Sequence, residues 1–176
     1  MTTRLTVRLR LSTLLILGAV LSGQVRADTG NIDPANKFAW AENAGWVNFA
    51  PTHGGVTVHP EGYVSGFAWA ENIGWIKLSC DAAGPYANDA ASNWGVNLKA
   101  GMLSGFAWSE NAGWINFHPT HDQVTIDRET GRFAGYAWSE SVGWIHFQAS
   151  VAPSLPGYYN VRTSASLRRG VVLSLQ

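Results

Sequence analysis

The chain has 176 residues, 12 basic and 12 acidic side chains, nine tryptophans and one cysteine. That length suits one domain, and a lone Cys80 excludes an internal disulfide as the device holding it together. The balanced charge leaves no basic face of the kind nucleic acid requires.

The chain opens with an export signal. "MTTRLTVRLR" carries three arginines and no acid, "LSTLLILGAVLSG" is a short apolar run, and "VRA" prepares a cut after Ala27. The run is too short to span a membrane, so residues 1–27 read as a signal peptide. The expected location is secreted or on the outer cell surface, with the periplasm as the other compartment. The remaining chain has 8 basic and 12 acidic side chains, a net charge of −4. Cys80 reads as a small buried hydrophobe, with an intermolecular bridge or a soft metal ligand as alternatives.

From Phe38 onward one sentence is written four times: "FAWAENAGWVNF", "FAWAENIGWIKL" from Phe67, "FAWSENAGWINF" from Phe106 and "YAWSESVGWIHF" from Tyr136. Abundant glycine and short aromatic or β-branched runs point to strands. Asn-x-Gly, or Ser141-Val142-Gly143 in the last copy, suits a type I turn closed by a left-handed glycine, making each copy a hairpin. Pairing outward from a three-residue loop sets Glu42 opposite Trp46, Ala41 opposite Val47 and Trp40 opposite Asn48. Phe38, Trp40, Glu42, Trp46 and Asn48 then share one face, with Ala39, Ala41, Val47 and Phe49 on the other. Between copies, "PTHGGVTVHPEGYVSG" and "PTHDQVTIDRETGRFAG" read as loop, strand, turn, strand, and "CDAAGPYANDAASNWGV" as an inserted loop. The predicted fold is all-β: an antiparallel meander of four tryptophan hairpins forming a sandwich or partly closed barrel over residues 28–150. Eight paired tryptophans are expected to supply most of its core. "VAPSLPG" reads as a linker, and the residues after it as one more hairpin turning near Arg169-Gly170.

Glu42, Glu71, Glu110 and Glu140 recur beside the turns. Acid–base catalysis needs two carboxylates in different environments, and four equivalent ones read as structural acceptors for an indole N–H or a turn amide. No nucleophile elbow, zinc helix or phosphate loop is written in the chain, so the expectation is a protein that is not an enzyme. His53 and His121 repeat in the "PTH" loops and read as loop residues bonding the turn. His59, His118 and His146 are not repeated: Asp127, Ala50 and Asn48, Lys77 or Asn116 stand at the corresponding places. His146 lies two residues after Trp144 and so on the same strand face, and the register above pairs it with Trp138. Neutral imidazoles meeting in an aromatic pocket would suit copper. Asp127 and Glu129 beside a turn would suit calcium.

The "G[FY]AW[AS]ENxGWI" unit with its "GPYAN…NWGVN" loop resembles a repeat of secreted bacterial proteins. It is also similar to the surface-associated and secreted copper-binding proteins of methane-oxidising bacteria, over roughly Lys37 to Gln148. In that family two histidines and a tryptophan oxidised to kynurenine hold one copper, the modified tryptophan lying two residues before a ligand histidine. The resemblance therefore implies Trp144 and His146 as copper-site residues, since theirs is the single Trp-x-His in the chain. The second histidine has no motif match; His118 is the first choice, on a neighbouring unit's Trp114–Asn116 face, and His59 the second. The expected function is copper scavenging or buffering at the cell surface, with outer-membrane or other surface components as partners. The alternative is a metal-free surface module binding carbohydrate or an envelope protein through exposed aromatics, and a hydrolase using the glutamates is a third reading.

Overall fold

The computed structural model describes residues 30–167, so the expected signal peptide and the turn near Arg169-Gly170 lie outside the described residues. Four hairpins carry the repeat: β1 (Ile32–Ala41) with β2 (Gly45–Asn48), β4 (Tyr63–Ala70) with β5 (Gly74–Lys77), β7 (Met102–Ser109) with β8 (Gly113–Asn116), and β11 (Tyr136–Ser139) with β12 (Gly143–His146). Adjacent hairpins pair edge to edge in the order β7-β5-β4-β2-β1-β12-β11-β8, and β8 returns to β7. The all-β expectation holds, and the closure is complete: an eight-stranded antiparallel barrel with no free edge. No helix among the described residues is long and apolar enough to cross a membrane.

A second ring sits on one end of the barrel. β1, β4 and β7 run on into it, where they meet β3 (Gly55–His59), β6 (Val96–Lys99), β9 (Thr125–Ile126), β10 (Phe133–Ala134) and β13 (Val161–Thr163). Its construction is fourfold. Phe49, Leu78, Phe117 and Phe147 donate their amides to the carbonyls of Lys37, Gly66, Gly105 and Gly135, and accept from the amides of Val56, Val96, Val124 and Val161. Val161 is the fourth member of that set, so β13 extends the repeat-built structure past residue 150. The ring closes where Asn31 brackets β3, its side chain bonding both the amide and the carbonyl of Val58 at 2.8 and 2.9 Å.

The turn glycines behave as the sequence predicts. Gly45, Gly74, Gly113 and Gly143 all take φ between 71° and 75°. The register differs by one pair: Trp40 faces Trp46, Ala41 faces Gly45 and Phe38 faces Asn48. The bond from Ala44 N to Ala41 O, 3.3 Å, centres the turn on Glu42-Asn43, one residue earlier than expected. This shift preserves the parity of both strands, so the expected faces survive.

Which face is inside was the larger surprise. Ala39, Ala41 and Val47 are fully buried, whereas Trp40 is 37% and Trp46 48% exposed. The tryptophans do not fill the core as expected; they clothe the outside. The lumen of an eight-stranded barrel is just wide enough for side chains to fill it. Here Ala39 and Ala41, Ala68 and Ala70, Ala107 and Ser109, Ala137 and Ser139 face inward with Val47, Ile76, Ile115 and Ile145. No indole fits among them. The larger inward residues gather at the junction of the two tiers, where Phe147 packs on Phe49, Phe117 and Phe133 at centroid distances of 5.3, 5.7 and 5.8 Å.

Two glycine classes bear the backbone strain. A Cβ at Gly113 would touch nothing within 4 Å, so only its φ of +71° opposes substitution. At Gly105, in the bend between tiers, a Cβ would lie 2.2 Å from the Gly95 carbonyl oxygen. We expect Gly113→Val to lower unfolding free energy by about 1–3 kcal/mol, and Gly105→Ala to cost more, both read by urea unfolding. Unchanged stability in Gly113→Val would overturn the turn assignment.

β13 is also tied to β1 by charge. Asp33 accepts from Ala35 N at 2.9 Å and Asn36 Nδ2 at 3.0 Å and lies 3.8 Å from the Arg162 guanidinium. The Ala35 amide first, then Asn36 and Arg162, hold its carboxyl below the ordinary 3.8. Its contribution to stability is complete above that ordinary value and is lost as pH falls through the lowered folded value. Asp33→Asn should therefore unfold more easily than wild type near neutrality, with the difference shrinking in strong acid. A pH-independent difference would show that the charge is not involved.

Candidate functional site

Alternation along the strands places Phe38, Trp40, Trp46 and Asn48 on the barrel's outer face, and the three other hairpins repeat the set. Each hairpin carries an edge-to-face indole pair, Trp40–Trp46, Trp69–Trp75, Trp108–Trp114 and Trp138–Trp144, with centroids 4.8–5.0 Å apart. Such pairs contribute about 0.5–1.5 kcal/mol each beyond area burial, so they staple the hairpins even though they face solvent.

The seams between hairpins generate the site geometry. At each seam the polar residue two after the second tryptophan faces the first tryptophan of the next hairpin. Asn48 pairs with Trp69, Lys77 with Trp108, Asn116 with Trp138, and His146 with Trp40. Three of these seams are open grooves. The first has a volume of about 770 Å³ and is lined by Phe38, Trp46, Asn48, Trp69, Glu71 and Tyr159 among others. The second, about 460 Å³, holds Phe67, Trp75, Lys77, Trp108, Glu110 and His53. The third, about 490 Å³, is lined by Phe106, Trp114, Asn116, Trp138 and Glu140.

The fourth seam differs. His146 lies between Tyr136, whose ring is 4.4 Å away edge-on, and Trp40 across the seam. Its strand-pairing partners are thus Tyr136 and Trp40, not Trp138, a consequence of the shifted register. Glu42 closes the seam: Oε1 lies 3.8 Å from His146 Nε2, and Oε2 accepts the Trp144 amide at 3.2 Å. Among the described residues Glu42 alone of the four glutamates takes up a turn or strand amide in this way, so the structural role expected of all four is realised there at one. Sequence reasoning placed Glu42 beside its own turn and missed it as a partner of His146. Nothing local signals that the fourth hairpin docks on the first.

The other predicted residues lie elsewhere. His118 is exposed beyond β8, its amide bonded to Asn116 Oδ1. His59 sits on β3, stacked on Tyr63 at 4.1 Å, with Nε2 2.8 Å from Ser65 Oγ and Nδ1 4.0 Å from Glu61. Among the described residues no three His, Cys, Asp or Glu side chains assemble as an ion site. His146 and Glu42 are therefore a two-donor set, fewer than a tight copper site gathers from protein alone. Asp127, the calcium candidate, spends Oδ1 on its own turn: it accepts from the amides of Thr130 and Glu129 and from Thr130 Oγ1, which hold its carboxyl below the ordinary range. Cys80 is a free, half-buried thiol.

Comparison with family models, curated proteins and solved structures returned no match to this chain.

An exposed pair of this kind adds little to stability. Glu42→Gln and His146→Asn, the latter restoring the residue of the first and third hairpins, should each shift unfolding free energy by less than about 1 kcal/mol. A larger loss in thermal unfolding would make the fourth seam a structural lock.

Proposed function

We propose that this chain is a carbohydrate-binding β-barrel of an exported protein, presenting aromatic grooves on its outer wall. The observation that carries the proposal is the inversion of the barrel: its small residues face in, and its indole and phenyl rings face solvent in repeated rows. Large contiguous apolar surface on a barrel whose core is already filled marks an interaction site. A pyranose ring has a C–H face that packs on an aromatic ring and a rim of hydroxyls that needs donors and acceptors. Each open groove offers that combination, rings from two hairpins with one carboxylate and either two carboxamides or one ammonium between them. Glycoside hydrolysis ordinarily takes two carboxyl groups flanking one bond. One glutamate per groove supports binding without turnover.

A second reading is copper held at the fourth seam, the place the family resemblance points to. In its favour, His146 is the one imidazole among the four equivalent positions, and a carboxylate faces it at 3.8 Å. Two protein donors support a weakly held ion, completed by donors beyond this pair.

The two readings separate cleanly. Affinity electrophoresis through gels containing neutral or acidic polysaccharides should retard the protein, and Trp46→Ala should weaken the retardation. Migration unchanged in every gel would remove the carbohydrate reading. Equilibrium dialysis against a copper chelator tests the second. Copper retained by wild type and His53→Ala but lost by His146→Ala supports it; equal loss in both variants removes it.

A further inference from the structure

The four seams are built from one repeat, yet the chain reaches the upper ring from each hairpin by routes of different length. From Phe49 to Val56 and from Phe117 to Val124 the path is short, closed by the compact "PTH" loops. From Leu78 to Val96 and from Phe147 to Val161 it makes long excursions. Each long excursion delivers an aromatic ring to the second tryptophan of the following hairpin. Trp94 packs edge-on against Trp114 at 5.2 Å, and Tyr159 against Trp46 at 4.9 Å. Trp94 supports its tryptophan from outside the third groove, which it does not line. Tyr159 and Tyr158 do line the first groove and add a wall to it.

We infer that the first groove, between the β1–β2 and β4–β5 hairpins, is the principal subsite, and that it takes an uncharged pyranose polysaccharide. This inference rests on the carbohydrate reading and assigns its place and ligand class. Three observations carry it. The first groove is the roomiest of the three, about 770 Å³ against 460 and 490 Å³. Its rings come from three segments of chain: Phe38 and Trp46, Trp69, and Tyr158 with Tyr159. Trp46, at 48% exposure, is held edge-on by both Trp40 and Tyr159, and Tyr159 itself lines the groove, unlike Trp94 beside the almost equally exposed Trp114. A ring held in place from two sides loses little freedom when a ligand packs on it.

The polar groups decide the ligand class. Asn48 spends Oδ1 on the Ala50 amide at 2.9 Å, which leaves its Nδ2 as a donor directed by that bond. Glu71 makes no hydrogen bond or ion pair among the described residues and stands as an acceptor for hydroxyls. Asn72, bound through Nδ2 to the Ala44 carbonyl at 3.1 Å, keeps its own carbonyl oxygen available. The lining thus contains one carboxylate and no cationic side chain. A uronate or sulfated chain would bring its charge against Glu71 with no cation in the lining to offset it; Lys37 Nζ, 5.4 Å from the Phe38 ring, stands outside that lining. The second groove contains Lys77, which its ion pair with Asp81 already engages. The fourth carries the His146–Glu42 pair.

The test compares grooves within one protein. Binding of soluble glucomannan, xylan and hydroxyethylcellulose, with polygalacturonate as the acidic probe, would be followed by tryptophan fluorescence and affinity electrophoresis. Glu71→Ala and Tyr159→Ala should each weaken binding of the preferred neutral polysaccharide by about tenfold, as loss of one central contact does, while Glu140→Ala in the third groove changes it less than about twofold. Thermal unfolding checks that each variant folds; Glu71 makes no internal bond, so its variant stays informative if Tyr159→Ala loosens β13. Weakening by Glu140→Ala but not by Glu71→Ala would overturn the assignment and leave the carbohydrate reading standing. Binding to polygalacturonate alone would overturn the ligand class. Absence of binding to all four probes would remove both the assignment and the reading beneath it.

Discussion

The width of an eight-stranded barrel is the constraint on which the rest of this structure depends. Its lumen accepts small and branched side chains, so each hairpin must spend its alternate positions on Ala, Ser, Val and Ile. Period-two alternation then forces the intervening residues outward. The chain has placed its largest side chains there, and the edge-to-face indole pairs stabilise the hairpins from the solvent side. Core and surface have exchanged their usual occupants because the core has no room for an indole.

Closure follows from the same repeat. Four hairpins with equivalent edges pair each to the next until the fourth meets the first, which leaves none of the eight barrel strands with a free edge. The turns are linked around the rim: Asn72 and Asn111 bond the carbonyls of Ala44 and Ile73 in the preceding turns. The second ring repeats the fourfold amide pattern one level up, and its last member comes from β13 near the end of the described chain. Both ends of that chain, Asn31 and Thr163, are bonded to each other there.

Fourfold scaffolding makes the departures informative. A seam always brings together two rings from one hairpin, one polar residue and the leading tryptophan of the next hairpin. Substituting Lys or His for Asn at the polar position, and lengthening two of the four connections, turns equivalent seams into inequivalent ones. One seam is walled by tyrosines, one carries an ammonium, and one is closed by an imidazole facing a carboxylate. The scaffold supplies the rings, and the connections and single substitutions supply the differences.

The sequence by itself determined the strand class, the four hairpins, the positive-φ turn glycines and the division of each strand into two faces, because these depend on residues within a dozen positions of one another. It also singled out His146 as a departure from the repeat, two residues after Trp144. Which face points inward was not legible, since alternation is the same whether indoles or alanines fill the core; only the barrel's circumference decides between them. The one-pair shift in register came from where a single turn bond forms, between Ala44 and Ala41. The pairing of His146 with Trp40 and Glu42 joins residues about a hundred positions apart and exists only because the barrel closes. Tyr159 reaches Trp46 for the same reason: the two ends of the described residues meet where β13 completes the upper ring.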